Sequence, residues 1–207
     1  ESAAEMERAF GIPSIADHYT QIASAIRGTI REKYWDATRG LFADTYDHRS
    51  FSQHVNSLAI LAGIVTGEEA TRVMERTLND SSLIQATIYF RYYVHQALKV
   101  AGMGDHLLDN LQIWRDQMAL GLTTWAEMPE PTRSDCHAWG ASPNIEFFRI
   151  LLGINSNAPG FKSIRIAPSL GDLKEVSGTM PHPVGSVTAS YKLDKKGKLT
   201  ARLILPT

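Results

Sequence analysis

Residues 52–78, SQHVNSLAILAGIVTGEEATRVMERTL, hold two helical patterns side by side, and the contrast between them decides the fold class. Up to Val65 the segment is apolar almost all round, with Val55, Leu58, Ala59, Ile60, Leu61, Ile64 and Val65. A helix apolar on every side is buried on every side. Thr66 and Glu69 then have the spacing of a capping box, in which each side chain satisfies the other's orphan amide. The helix they open carries one stripe, Ala70, Val73, Met74 and Leu78, against a face of Glu68, Arg72, Glu75 and Arg76.

The alternation continues outward. Upstream, Ser14 is placed to cap a helix striped by Ile15, Tyr19, Ile22, Ile26 and Ile30, and Ala3 to Phe10 reads as the tail of an earlier helix. Downstream, Leu83 to Val100 is apolar and aromatic. Asp105 is placed to cap a stripe of Leu108, Leu111, Trp114 and Met118 that Gly121 stops, and Pro143 to Ile154 is again mostly apolar. Striped and apolar helices in turn predict two concentric layers. Joints from apolar to striped helices are short, and the reverse joints, about Trp35–Phe51 and Leu122–Ser142, are long. Long loops therefore gather at the amino ends of the inner helices, where a concave site is expected. The visible pairs make an arc rather than a closed barrel, so the chain reads as the carboxyl half of something larger. An irregular bundle is the blander reading; no tight repeat supports a solenoid.

After Asn157-Ala158-Pro159-Gly160 the apolar period becomes two. Lys162 to Ala167 reads as a short strand. Val187, Ala189, Tyr191 and Leu193, a turn at Asp194–Gly197, then Leu199, Ala201, Leu203 and Leu205 read as a hairpin. The fold class is α+β: a helical part, 1–157, and a small antiparallel β domain, 158–207, leaning on it.

At 43% apolar and 21% charged residues, the 207-residue chain has the composition of a folded protein. Its 21 Lys+Arg nearly cancel 22 Asp+Glu, so a phosphate backbone is not the expected partner. No apolar run reaches the roughly 18 residues of a membrane span, and no signal segment opens the sequence. Secretion to the periplasm or exterior is expected only if a longer protein carries a signal peptide. Cys136 is the single cysteine, without a CxxC or HxxxH companion, and Asp44, Asp47 and His48 fit no ligand spacing. No metal and no cofactor are expected.

Leu122 to Ser142, LTTWAEMPEPTRSDCHAWGAS, carries the chemistry. Glu127, Glu130, Asp135, His137, Arg133, Trp125 and Trp139 crowd into one loop. Indole faces beside carboxylates suit sugars, whose C–H faces stack while their hydroxyls hydrogen-bond. Against this stands the plainer reading, indoles as core anchors and solvated charges. Asp135 is weighed as an ion-pair partner of Arg133 and Glu130, between two prolines, as exposed. His54 and Asn56, where an inner helix meets the loop end, are read as sugar ligands or as a cap or core pair. His95 is read as a core histidine.

TTWAE, PTRSDCHAWGASP, LLGI, APGF, IAPSLGDL and PHPVGSV, in that order, together with upstream YWD and GLFADTYDHRSFSQHVNSLAILAGIV, resemble the carboxyl end of bacterial inverting alpha-L-rhamnosidases. The resemblance implies about half of a six-hairpin (α/α)6 barrel followed by a β-sandwich. It implies a glycoside hydrolase releasing terminal alpha-L-rhamnose, with a rhamnose-containing glycan or glycoside as partner. Glu127 falls on the family's general base and His137 on a sugar-subsite histidine, with Trp139 nearby; Trp125, Arg133, Asp135 and His54 complete the expected substrate contacts. Trp125 stands two residues before the acid, a departure from the family's Thr-x-Trp-Glu. The family's general acid lies earlier in the barrel and has no counterpart here, so this chain is expected to need the missing amino-terminal part of the same barrel. Two other readings remain: a non-catalytic carbohydrate-binding or scaffold fragment, and a polysaccharide lyase on the same barrel with His137 or a tyrosine as base.

Overall fold

The structure is a computed structural model that describes residues 1–206. Apart from one two-residue strand pair, it holds helices in its first three quarters and small antiparallel sheets in its last, as the change of period predicts. Two compact units divide it, Glu1–Gln85 and a second that begins at Ala86.

The first unit contains α1 (Ser2–Phe10), α2 (Pro13–Tyr34), a two-residue strand pair β1 (Trp35–Asp36) and β2 (Leu41–Phe42), α3 (Gln53–Leu61) and α4 (Gly67–Asn79). In α3, Ser52 caps the helix by accepting from the Val55 amide, and Gln53, Asn56, Ser57, Ala59 and Ile60 are buried. The expectation of burial on every side is met only in part: Ala59, Ile60 and Val65 are buried, Val55, Leu61 and Ile64 are half-buried, and Leu58 is 46% exposed. In α4, Ala70, Val73 and Met74 are buried as the stripe requires.

Three local expectations are corrected. Ser14 does not cap α2: Pro13 occupies the first helical position behind Ile12, because proline has no amide to leave unsatisfied there. Thr66 and Glu69 do not cap each other; Thr66 makes no side-chain cap bond, and Glu69 takes Arg31 at 2.6 Å, a charge-assisted bond stronger than a neutral one. The α2 stripe is not covered: Tyr19, Ile22 and Ile26 are exposed, and Ala16 is the helix's one buried residue.

The second unit begins with α5 (Ile88–Val100). Two 3₁₀ turns, Gly104–His106 and Leu108–Leu111, lead to α6 (Gln112–Ala119), followed by the long loop and α7 (Pro143–Glu146), which continues as a π-helical turn, Phe147–Leu151. Asp105 does not cap α6, which starts seven residues later. Its carboxylate accepts instead from the Gly171 amide at 2.8 Å.

Strands β3 (Ile154–Ser156) and β4 (Ile164–Ile166) pair as a hairpin, and β5 (Glu175–His182), β6 (Gly185–Leu193) and β7 (Leu199–Ile204) form a sheet in that order. The predicted hairpin is β6–β7, with Leu193 opposite Leu199. Val187, Ala189 and Tyr191 are buried with Leu152, Ile154 and Met180, while Ile145 and Phe148 pack on them, so the sheet does lean on helical residues. Tyr191 donates its hydroxyl to the Leu152 carbonyl at 2.9 Å. The facing residues of β7, Leu199 and Leu203, are exposed.

Strand β5 was not anticipated. Val176, Gly178 and Met180 face inward, and a glycine in the middle of the triplet hides the period. Gly178 is there for space: a Cβ would stand 2.6 Å from Leu152 Cδ1.

Candidate active site

The site is built in the second unit from the loop after α6. Its two limbs are tied as a hairpin: the Glu127 amide donates to the Ser134 carbonyl at 2.9 Å, and the His137 amide to the Trp125 carbonyl at 2.8 Å. Helix α6 pins both limbs. Gln117 Oε1 accepts from the Ala126 amide at 3.0 Å, and Trp114 Nε1 donates to the Gly140 carbonyl at 2.6 Å. Gly140 has to be glycine, because a Cβ would meet Trp125 Cβ at 2.5 Å.

This scaffold sets Glu127 beside a cleft of about 270 Å³ lined with Thr87, Tyr89, Met128 and Trp139. The Glu127 side chain is 14% exposed, and Arg133 grips both carboxylate oxygens: Nε donates to Oε2 at 2.7 Å, and Nη2 to Oε1. His137 Nε2 lies 3.8 Å from Oε1. The Arg133 fork holds the Glu127 carboxyl below the usual carboxylate range, helped by the positive charge of Arg133 and His137. A carboxylate so held is ionised at neutral pH and fixed in orientation by a two-point contact, which also lowers its basicity while Arg133 stays in place.

The aromatic wall is continuous. Trp139, 45% exposed, meets the His137 ring at 4.6 Å between centroids and Tyr89 edge-on at 5.5 Å. An exposed indole beside an ionised carboxylate offers a face for sugar C–H groups and an acceptor for hydroxyls.

Other sequence-predicted residues go elsewhere. Trp125 lines a separate apolar cleft of about 360 Å³ with Trp114, Met118, Pro143 and Phe147. Arg133 belongs to Glu127 and not to Asp135, which is exposed, with its carbonyl accepting from the Thr124 hydroxyl. Glu130 is exposed as read. His54 lies on α3 in the first unit, half-buried, and burial pushes its imidazole pKa down. Asn56, beside it in sequence, is a core bracket: Oδ1 accepts from the Phe42 amide at 2.8 Å, and Nδ2 donates to the Phe42 and Ser52 carbonyls. Asp44 accepts from the hydroxyls of Ser50 and Ser52, Asp47 from that of Thr45, and among the described residues no three metal-ligating side chains converge.

Sequence reasoning missed Tyr89 and Gln117. Tyr89 stands within the apolar and aromatic run Leu83–Val100, where nothing local separates it from its neighbours. Its place at the amino end of a predicted inner helix, where the long loops gather, was the signal that could have found it. Gln117 carries no such signal, since its role is a single bond to a distant amide.

Residues 153–207 match the family described as "Bacterial alpha-L-rhamnosidase C-terminal domain". The resemblance to the alpha-L-rhamnosidase family, carboxyl-terminal part, therefore stands. No protein of curated function matches the chain in sequence. Among solved structures, the alpha-L-rhamnosidase of Dictyoglumus thermophilum is similar over 99% of this chain and 24% of its own, with a TM-score of 0.80 and 18% identity. The Streptomyces avermitilis alpha-L-rhamnosidase complexed with L-rhamnose matches over 99% and 21%, at a TM-score of 0.75 and 18% identity. A rhamnosidase from Klebsiella oxytoca with rhamnose bound matches over 71% and 31%, at 0.63 and 20%. At such identities the likeness is one of fold, and the chain spans a third or less of these rhamnosidases.

Proposed function

We propose that this chain is the carboxyl-terminal part of a glycoside hydrolase that releases terminal alpha-L-rhamnose with inversion, and that Glu127 is its general base. The observation that carries the reading is the Glu127 carboxylate, kept ionised by Arg133 beside a cleft walled by Trp139 and Tyr89. In this reading the sugar ring stacks on Trp139. Glu127 takes a proton from a water on the face opposite the leaving group, and His137, whose ring packs against Trp139, supports the carboxylate.

Inversion needs a second carboxyl group roughly 6.5–9.5 Å from the first, protonated so that it can be given to the leaving oxygen. Among the described residues, Glu127 is the one carboxylate lining the cleft. The general acid therefore belongs, in this reading, to amino-terminal helices of the same (α/α)6 barrel, of which residues 1–157 would form about half. Residues 158–207 would belong to a β-sandwich domain. A rhamnose-containing glycan is the proposed substrate.

The test is release of rhamnose from an aryl alpha-L-rhamnoside by the protein carrying those helices, by its Glu127→Gln variant and by these 207 residues alone. The base variant should lose ~10²–10⁴-fold in turnover with binding largely kept. An unimpaired variant would remove Glu127 from the mechanism. Strong activity from the 207 residues would refute the missing acid. A product absorbing in the ultraviolet would mean a lyase, and sugar binding with no product from the longer protein would mean a binding module.

A further inference from the structure

The far end of α5 carries a second cleft, of about 420 Å³, whose polar lining includes Lys99, Asn155, Ser156, Asn157 and Arg165. It shares no lining residue with the Glu127 cleft. Tyr89 and Lys99 stand ten residues apart on one helix, about 15 Å along its axis.

The local fold explains how the cleft forms. In the β3–β4 hairpin Asn155 is paired with Arg165, so both side chains leave on one face, while the neighbouring pair Ile154 and Ile166 joins the apolar cluster. Lys99, next to last in α5, donates from Nζ to the Arg149 carbonyl. Asn155 Nδ2 donates to the same carbonyl at 2.9 Å and to Gly153 at 3.0 Å, which ties the hairpin to the helix end.

Two cations, Lys99 and Arg165, line this one concavity, and no carboxylate is among its lining residues. Lys99, Arg149 and Arg165 have no carboxylate in reach among the described residues. Arg149 turns its guanidinium to the Tyr92 hydroxyl at 3.4 Å, and Arg165 makes no side-chain hydrogen bond among the described residues. Burial, with the charges of Arg165 and Arg149 adding, holds the Lys99 ammonium down to about 8. Two like charges lining the cleft, with Arg149 close enough to act on Lys99, favour an anion that can enter it. Lys99 keeps two ammonium protons beyond its bond to Arg149, and Arg165 keeps its whole fork of five N–H donors.

We propose that this cleft binds a small oxyanion, with Arg165 and Lys99 as its charged donors and Ser156 and Asn157 at its rim. The anion is either the carboxylate of an acidic sugar or a tetrahedral sulfate or phosphate group; both present the same oxygen chemistry to a guanidinium fork. This inference does not depend on the role of Glu127.

The test titrates sodium glucuronate, sodium sulfate and sodium phosphate into the 207-residue protein, with sodium chloride adjusted to hold ionic strength. Backbone amide shifts of residues 155–157 and 163–165, and the melting temperature, report binding. Saturable shifts with a Kd of order 1 mM are expected, and Arg165→Gln should weaken binding by about tenfold or more. Arg165 is exposed on a hairpin, so this variant keeps the fold and its amide spectrum elsewhere; Lys99→Gln is the companion, and if it fails to fold Arg165→Gln decides alone. Tightest binding of glucuronate would identify an acidic sugar, and tightest binding of sulfate or phosphate a tetrahedral group. Absence of saturable shifts up to about 50 mM of all three salts, a range far above the expected Kd, would overturn the proposal. So would an unchanged Kd in Arg165→Gln. Sulfate also raises melting temperatures by exclusion from protein surfaces, so an equal rise in parent and variant counts against a site.

Discussion

His95 Nδ1 lies 2.6 Å from Glu146 Oε2, and both side chains are completely buried. One proton shared between these atoms joins α5 to α7 across 51 residues of sequence. Among the described residues, His95 Nε2 and Glu146 Oε1 have no hydrogen-bond partner. Removing one member leaves the other buried and uncompensated, which costs about 3–5 kcal/mol, whereas an apolar pair of similar volume is often neutral or better. Glu146→Ala should therefore lower stability in a urea melt by about that amount, and the double variant His95→Leu/Glu146→Leu should recover most of it. A double variant no better than the single one would show that packing, not polarity, sets the cost.

Gln117 holds the amide next to Glu127's own residue, and it is the residue of α6 most directly responsible for where the base stands. In Gln117→Leu the Ala126 amide stays buried without an acceptor, at a cost of about 1–3 kcal/mol. Faster hydrogen exchange at Ala126 and Glu127, with α4 unchanged, is the expected readout. Protection equal to the parent's would mean the loop holds itself.

The Arg133 fork is the first cause of the lowered Glu127 pKa, so Arg133→Gln should raise it toward the ordinary 4.5. The carboxyl carbon shift of Glu127 followed against pH measures this directly. Because the folded value lies below the unfolded one, the pair stabilises the fold above about 4.5, and that contribution is lost as pH falls through the folded value. The variant should lose less stability than the parent on acidification. An unmoved titration midpoint would show that the fork is not what keeps Glu127 ionised.

Asn56 satisfies both backbone groups of Phe42 and one of Ser52. Asn56→Ala should cost at least about 2 kcal/mol, since several buried groups lose partners together. Thermal melting checks it, and Asn56→Asp makes the comparison sharper: it keeps the acceptor for the Phe42 amide but loses both donors. Equal melting temperatures for parent and Asn56→Ala would mean the bracket is dispensable.

The change from period 3.6 to period two near residue 157, the buried stripe of α4 and the β6–β7 hairpin were all legible in the sequence. Each is written by residues a few positions apart, and local spacing dictates which face of a helix or strand they share. The crowding of Glu127, His137 and Trp139 was legible for the same reason, as one loop. What the loop's residues do to one another was not. Whether Arg133 meets Glu127 or Asp135, and whether Trp125 shares a cleft with Trp139, depends on how the limbs turn and on the bonds from Gln117 and Trp114 that pin them. The pairing of His95 with Glu146, and of Asp105 with the Gly171 amide 66 residues away, leaves no local mark at all. A short-range pattern determines an element, but a buried polar group takes whichever partner the packed chain brings within 3 Å of it, and only the tertiary structure decides that.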